Sequence, residues 1–150
     1  AIVHAAGIVA FGPVDELSDA TLDELVQVNL IAPIQIVRAA TPRMSDRGVI
    51  VMISAIVAAM PTAGMAAYSA VKAGLSAFGV AAGRELRRRG IRLLDVQPPH
   101  TATGLEHRPI AGVAPTLPAG RDPDEVVRAI LAAMNDDAAR TVSCEPLPST

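Results

Sequence analysis

The sequence predicts an α/β fold in which a parallel sheet is wound with helices, and three observations carry that prediction. Strand-like and helix-like segments alternate along the chain, beginning with a strand. The run at residues 49–54 is continuously apolar and β-branched up to its closing serine, as in a strand covered by helices on both faces. The polar residues that could do chemistry gather where strands end, at 4–7, at Ser54 and at 98–103, and parallel α/β sheets bind ligands beyond those ends.

Residues 1–7 form an apolar run closing in small residues, which suits a buried strand. Gly12 and Pro13 then break the chain into a loop, and Ser18 is a good helix N-cap with Asp19 and Asp23 in the first turns behind it. Leu22, Leu25, Val26, Leu30, Ile34 and Val37 recur at helical spacing, so one helical region should run to about Met44, bent between Asn29 and Pro33. By spacing alone, Asn29 reads as a core amide bonded to backbone at that bend.

After the strand at 49–54 comes a loop punctuated by Pro61 and Gly64. A helix follows from about 65 to 88, with Ala66, Ala70, Ala73 and Ala77 forming a smooth face for another helix to approach. Gly90 stops it, residues 91–96 form the next strand, and Pro98 and Pro99 end that strand because neither can donate to a ladder. The irregular stretch 101–118 is long enough to be functional, as a lid. Asp122 and Pro123 open a last helix, residues 141–144 suggest a short final strand, and the rest reads as a frayed tail.

Composition narrows the function. One domain of 150 residues with 51% hydrophobic and 19% charged residues and a net charge of −2 is globular and does not invite nucleic acid. The basic group Arg84, Arg87, Arg88, Arg89 and Arg92 falls at a helix end, where cations complement the dipole. The most apolar window, 49–60, is too short to span a bilayer, and no signal peptide is recognisable. A single cysteine, Cys144, excludes an internal disulfide and is compatible with a reduced cytoplasm.

Tyr68, the only tyrosine, and Lys72 stand at i and i+4, one turn apart on one helix face. A phenol is a poor acid or base at neutral pH, but a neighbouring cation favours phenolate, and such a tyrosine can pass a proton to or from an alcohol or carbonyl oxygen. The same spacing also occurs on half-buried helices where the ring packs and the ammonium reaches water.

With the strand ends, this pair makes the chain resemble the carboxyl-terminal part of a short-chain dehydrogenase/reductase. The resemblance implies a doubly wound, Rossmann-like fold present as one partial domain over residues 1–150. His4-Ala5-Ala6-Gly7 stands where the family has Asn-Asn-Ala-Gly, which implies that Ala6 and Gly7 pass close to the cofactor and that His4 is structural. Asn29 matches the asparagine that holds a proton-relay water, Tyr68 the acid/base, and Lys72 the residue that binds the nicotinamide ribose and lowers the phenol's pKa. Pro98 and Thr103 match the cofactor-contacting turn, although the family's Pro-Gly is Pro98-Pro99 here.

The family's serine lies thirteen residues before the tyrosine, which is Ala55 in this chain, whereas Ser54 lies fourteen before it. Either Ser54 reaches the substrate carbonyl through a longer loop or that contact is missing; Ser54 is the expectation. The family's glycine-rich turn TGxxxGxG, which cradles the pyrophosphate, is not found, so the chain is expected to be a fragment of a longer enzyme or a truncated product.

The resemblance thus implies an oxidoreductase using NAD or NADP on a small carbonyl or secondary alcohol, homo-oligomeric (dimer or tetramer) at full length and cytoplasmic. The rival is a catalytically silent domain that dimerises through its helices at 30–44 and 65–88.

Overall fold

A computed structural model of the chain describes residues 1–143; the expectations for Cys144 and the tail lie outside the described residues. Four parallel strands pair in chain order: β1 (Ile2–His4), β2 (Val49–Ile53), β3 (Arg92–Gln97) and β4 (Thr141–Ser143). Between β1 and β2 run α1 (Asp19–Val26) and α2 (Ala32–Ala40), between β2 and β3 runs α3 (Ala66–Arg87), and before β4 runs α4 (Pro123–Asn135).

The strands β2 and β3 are buried on both faces, which explains their apolar runs. One face packs Ile50, Met52 and Leu93 against Val37 of α2 and Leu75, Ala82 and Leu86 of α3. The other packs Val49, Val51, Leu94 and Val96 against Val126, Ile130 and Ala133 of α4. The chain therefore changes faces between β3 and α4, carried over the carboxyl end of the sheet by residues 98–122. This connection has the opposite hand to the two before it, an uncommon choice.

Sequence and structure differ in two places. The strand expected over residues 1–7 is three residues long, and Val3 is 52% exposed because β1 ends the sheet among the described residues. The bend near Asn29 is a π turn, Gln27–Ile31, in which the Ala32 N–H reaches back to the Gln27 carbonyl. Pro33 is its cause: it brings no N–H for the carbonyl four residues back, which is that of Asn29.

The helix α3 shows which way its small-residue face points. Its sheet-facing side is built from Val71, Lys72, Leu75, Gly79, Ala82 and Leu86, while Ala66, Ala70 and Ala77 of the alanine stripe face outward and are exposed. Caps fall where expected: Ser18 Oγ accepts from the Thr21 N–H at 3.2 Å, and Asp122 Oδ1 accepts from the Asp124 N–H at 3.0 Å.

The stretch 101–118 is pinned to the body of the protein. Phe11 N–H donates to the Ala111 carbonyl at 3.0 Å, and Ile110 N–H to the Val9 carbonyl at 2.9 Å. Gly112 makes this approach possible: its φ is +71°, and a side chain there would collide with the Phe11 carbonyl, 1.9 Å from the Cβ position.

Candidate active site

The first turns of α3 lie against the carboxyl ends of β1 and β2, and there the expected residues meet. Tyr68 is 8% exposed, in an apolar cluster with Val9, Ala10, Phe11, Leu25 and Ala55. Lys72, one turn on, is 4% exposed. Its Nζ donates to the Ile53 carbonyl at 2.9 Å and stands 5.7 Å from the centroid of the Tyr68 ring.

Electrostatics correct one expectation. Burial pushes the Tyr68 phenol up to about 12 and brings the Lys72 ammonium down to about 8, with the charge of Asp95 opposing the second shift. The resemblance implied that Lys72 lowers the phenol. In this arrangement the ammonium lies over the ring and is engaged by the end of β2, so desolvation dominates.

Asn29 is 1% exposed and ties three segments together. Its Oδ1 accepts from the Ile8 N–H at 3.2 Å, and its Nδ2 donates to the carbonyls of Ile8 at 3.0 Å and Leu25 at 3.1 Å. Both the backbone-bonding amide expected from spacing and a position beside Lys72 are realised, because Gly7 lies between them. A Cβ on Gly7 would sit 3.1 Å from Asn29 Oδ1 and 3.5 Å from Lys72 Nζ. Ala6 is exposed and Gly7 half-buried at the same edge. His4, on β1, has its pKa lowered by partial burial and by the charge of Lys72.

Ser54 is placed otherwise than expected. Its Oγ donates to the Val96 carbonyl at 3.2 Å, and the Ser54 N–H donates to that same oxygen at 2.8 Å, so residue and hydroxyl close the β2–β3 ladder. Ala55 instead shares the buried cluster with Tyr68. Pro98, half-buried, accepts from the Ile56 N–H at 2.9 Å and joins the two strand ends. Thr103 is exposed in the 101–118 stretch, with Oγ1 3.5 Å from the Thr101 carbonyl.

A cavity of about 540 Å³ lies wholly within residues 100–117 and touches neither Tyr68 nor Lys72. Glu106 is at its wall, with Oε1 3.8 Å from His100 Nε2 and 3.4 Å from His107 Nε2. A smaller hollow of about 20 Å³ touches Tyr68, Phe11 and Met65 but is too tight for a substrate. The described residues contain no cluster of His, Cys, Asp or Glu fit to hold a metal ion, and no helix long and apolar enough to cross a membrane.

Sequence inspection passed over one group. Asp95 is buried in β3 beneath α3, bonded to Ser76 and Gln97. An acid between Leu94 and Val96, in a strand otherwise fit for burial, was the available signal.

The arrangement is that of an α/β protein whose candidate site groups gather at the carboxyl ends of parallel strands. Comparison with known proteins specifies it further: residues 1–111 match the short chain dehydrogenase family model, and the chain belongs to that family. It is 30% identical to 3-oxoacyl-[acyl-carrier-protein] reductase FabG of Salmonella typhimurium over 145 residues, covering 91% of this chain and 59% of that protein. It is also 30% identical to the 2,5-dichloro-2,5-cyclohexadiene-1,4-diol dehydrogenase LinX of Sphingobium indicum over 148 residues, covering 90% of this chain and 57% of that protein. Among solved structures, a short-chain dehydrogenase from Sphingobium yanoikuyae in complex with NADPH superposes with a TM-score of 0.87 at 29% identity, covering 99% of this chain and 58% of that one. The chain therefore spans under two thirds of the length of these relatives.

Proposed function

We propose that the full-length protein is a cytoplasmic NAD(P)-dependent oxidoreductase acting on a small carbonyl or secondary alcohol, with Tyr68 as the acid/base. The observation that carries this reading is the buried Tyr68–Lys72 pair, braced by Asn29 through Gly7 and Ile8 at the strand ends.

The residues present fit the ribose-nicotinamide part of such a cofactor. An ammonium has three donors and Lys72 uses one on the Ile53 carbonyl, which leaves two for ribose hydroxyls in a place where water competes poorly. Gly7 fits a close approach, since a Cβ there would press on Asn29 Oδ1 and come into contact with Lys72 Nζ. Ala6, Pro98 and Thr103 flank the same edge. When bound, the nicotinamide supplies or accepts the hydride.

Tyr68 handles the proton. Its phenol carries the proton that a carbonyl oxygen takes up as it gains charge, and because burial pushes that phenol up to about 12, the donation depends on nearby positive charge to steady the phenolate. Lys72 holds positive charge near the phenolate that donation leaves behind. Asn29, whose backbone carbonyl lacks its helical partner because of Pro33, anchors the water that returns a proton through Lys72. With Ser54 bonded into the strand ladder and alanine at 55, polarisation of the substrate oxygen falls to Tyr68.

The substrate lies between residues 55–65 and the 101–118 stretch. Pairing of full-length subunits would use the outward face of α2 and α3, where Ile36 and Val80 are exposed beside the alanine stripe.

Tyr68→Phe tests the reading. It removes the transferable proton and leaves the ring's packing, so kcat for carbonyl reduction should fall by about 100-fold or more with cofactor affinity little changed. Retention of more than about a tenth of kcat would contradict the acid/base role.

A further inference from the structure

Lys72 and Asp95 are the only fully buried charged side chains among the described residues, and the chemistry above uses only the first. Asp95 is 2% exposed, with apolar neighbours before and after it in β3. Its carboxylate lies on the α3 side of the sheet. Successive turns of α3 meet β3 in order: Gly83 over Leu93, Gly79 over Leu93 and Asp95, and Ser76 on Asp95. The next turn of the same helix face carries Lys72, whose ammonium reaches Ile53, the residue paired in register with Val96.

The carboxylate is held by one oxygen. Oδ2 accepts from Ser76 Oγ at 2.6 Å and from Gln97 Nε2 at 2.9 Å, while Gln97 Nε2 also lies 3.0 Å from Ser76 Oγ. Oδ1 is buried without a hydrogen-bond partner among the described residues. A buried, half-satisfied carboxylate is costly unless a cation offsets it, and a buried ammonium with a single acceptor has the matching need. The titratable groups facing Lys72 are His4 on β1, Tyr68 on its own helix and Asp95 on β3; the π turn presents the uncharged Asn29. Of these, Asp95 is the one whose charge opposes the loss of the Lys72 proton.

We propose that Asp95, fixed by Ser76 and Gln97, is a positioning residue for Lys72: it keeps the ammonium charged inside the apolar interior and directed toward the strand ends. Without it, a lysine this deeply buried gives up its proton more readily, and with the proton goes a donor and the charge that steadies Tyr68. Gly79 assists by letting α3 approach the sheet there, since its Cβ position is 3.6 Å from that of Asp95. The role in catalysis rests on the function proposed for Lys72; the coupling between the two side chains does not.

The test is a titration. Lys72 is the only lysine among these 150 residues, so in full-length protein carrying 13Cε-labelled lysine its resonance is identified as the one absent from Lys72→Met. In Asp95→Asn, which keeps the shape and a bond to Ser76, the Lys72 midpoint should fall by roughly one pH unit or more. The alkaline limb of kcat/KM should move down with it. Asp95→Val, which suits the strand, should lower the midpoint likewise if the asparagine variant folds poorly, and Asp95→Glu should restore much of it. An unmoved Lys72 midpoint in folded Asp95→Asn or Asp95→Val would overturn the proposal and leave Asp95 a packing residue. Failure of Tyr68→Phe to reduce turnover would instead overturn the acid/base reading and leave this coupling standing.

Discussion

Residues 49 and 51 of β2, with 94 and 96 of β3, pack toward α4; their neighbours 50, 52, 93 and 95 pack toward α3. The buried part of the α4 face is apolar, with none of the five buried polar side chains, and polarity enters only at its edge, where Arg92 donates to carbonyls at the end of α4. The α3 face begins in the same way, with Leu86, Ile91 and Leu93, but changes toward the carboxyl ends of the strands into Asp95, Ser76 and Lys72. Alternation along a strand lets one segment serve both purposes, because adjacent residues answer to different layers. Loss of an α4-face residue should therefore cost stability alone, whereas the α3 face should couple stability to protonation.

The largest expected effect comes from breaking the apolar face. Leu94 has no exposed surface and no polar neighbour in its cluster, so Leu94→Ala should cost about 2–5 kcal/mol, as transfer and cavity costs add. Urea unfolding of the full-length protein would read this as a lower midpoint with little change in slope. The Lys72 titration should stay where it is. A shift there as large as that expected for Asp95→Asn would show that the faces are not independent.

The α3 face should instead respond to pH. Lys72 falls from an ordinary 10.5 to about 8 on burial, so between those values the unfolded chain holds a proton that the folded one has released. Stability therefore rises with pH through that window. The ammonium's burial costs about 3 kcal/mol below pH 8, and the cost is relieved progressively above it. Tyr68 acts oppositely: raised from 10.0 to about 12, its contribution is present below 10 and is lost as pH climbs toward 12. Urea midpoints should thus rise from pH 8 to about 10 and turn over beyond. Lys72→Met should flatten the rising part, and a rise of unchanged size in that variant would assign it to another group.

Much of this was legible before any coordinates. Continuous apolar runs marked the doubly covered strands, proline and glycine marked where they stop, and the i,i+4 spacing placed Tyr68 and Lys72 on one helix face, though not their burial. What was not legible depended on distance across the sheet. The pairing of Asp95 with Ser76 joins residues nineteen apart in sequence, and only the packing of α3 on β3 brings them within 2.6 Å. The π turn was half legible: Pro33 signalled a disturbed helix but not an extra residue within the turn. The alanine stripe was legible as a smooth face, but spacing alone does not say which way such a face points, and here it points outward.

The smallest effect bears on the serine, where one residue of register separates two outcomes. If Ser54 turned its hydroxyl to a substrate carbonyl, Ser54→Ala would remove a donor from the transition state and slow turnover by about 100-fold or more. The structure gives that hydroxyl to the Val96 carbonyl, an oxygen that keeps its 2.8 Å bond from the Ser54 N–H when the side chain is cut back. No acceptor is then left bare, so Ser54→Ala should cost only about 1 kcal/mol of stability, with kcat changed less than about threefold. Ala55→Ser is the complementary change: it adds a hydroxyl next to the Tyr68 cluster, where a substrate oxygen would meet it, and should raise kcat. Steady-state kinetics on the two variants separates the registers. A large loss in Ser54→Ala with no gain in Ala55→Ser would return the substrate contact to residue 54 and require the hydroxyl to leave the strand when substrate binds.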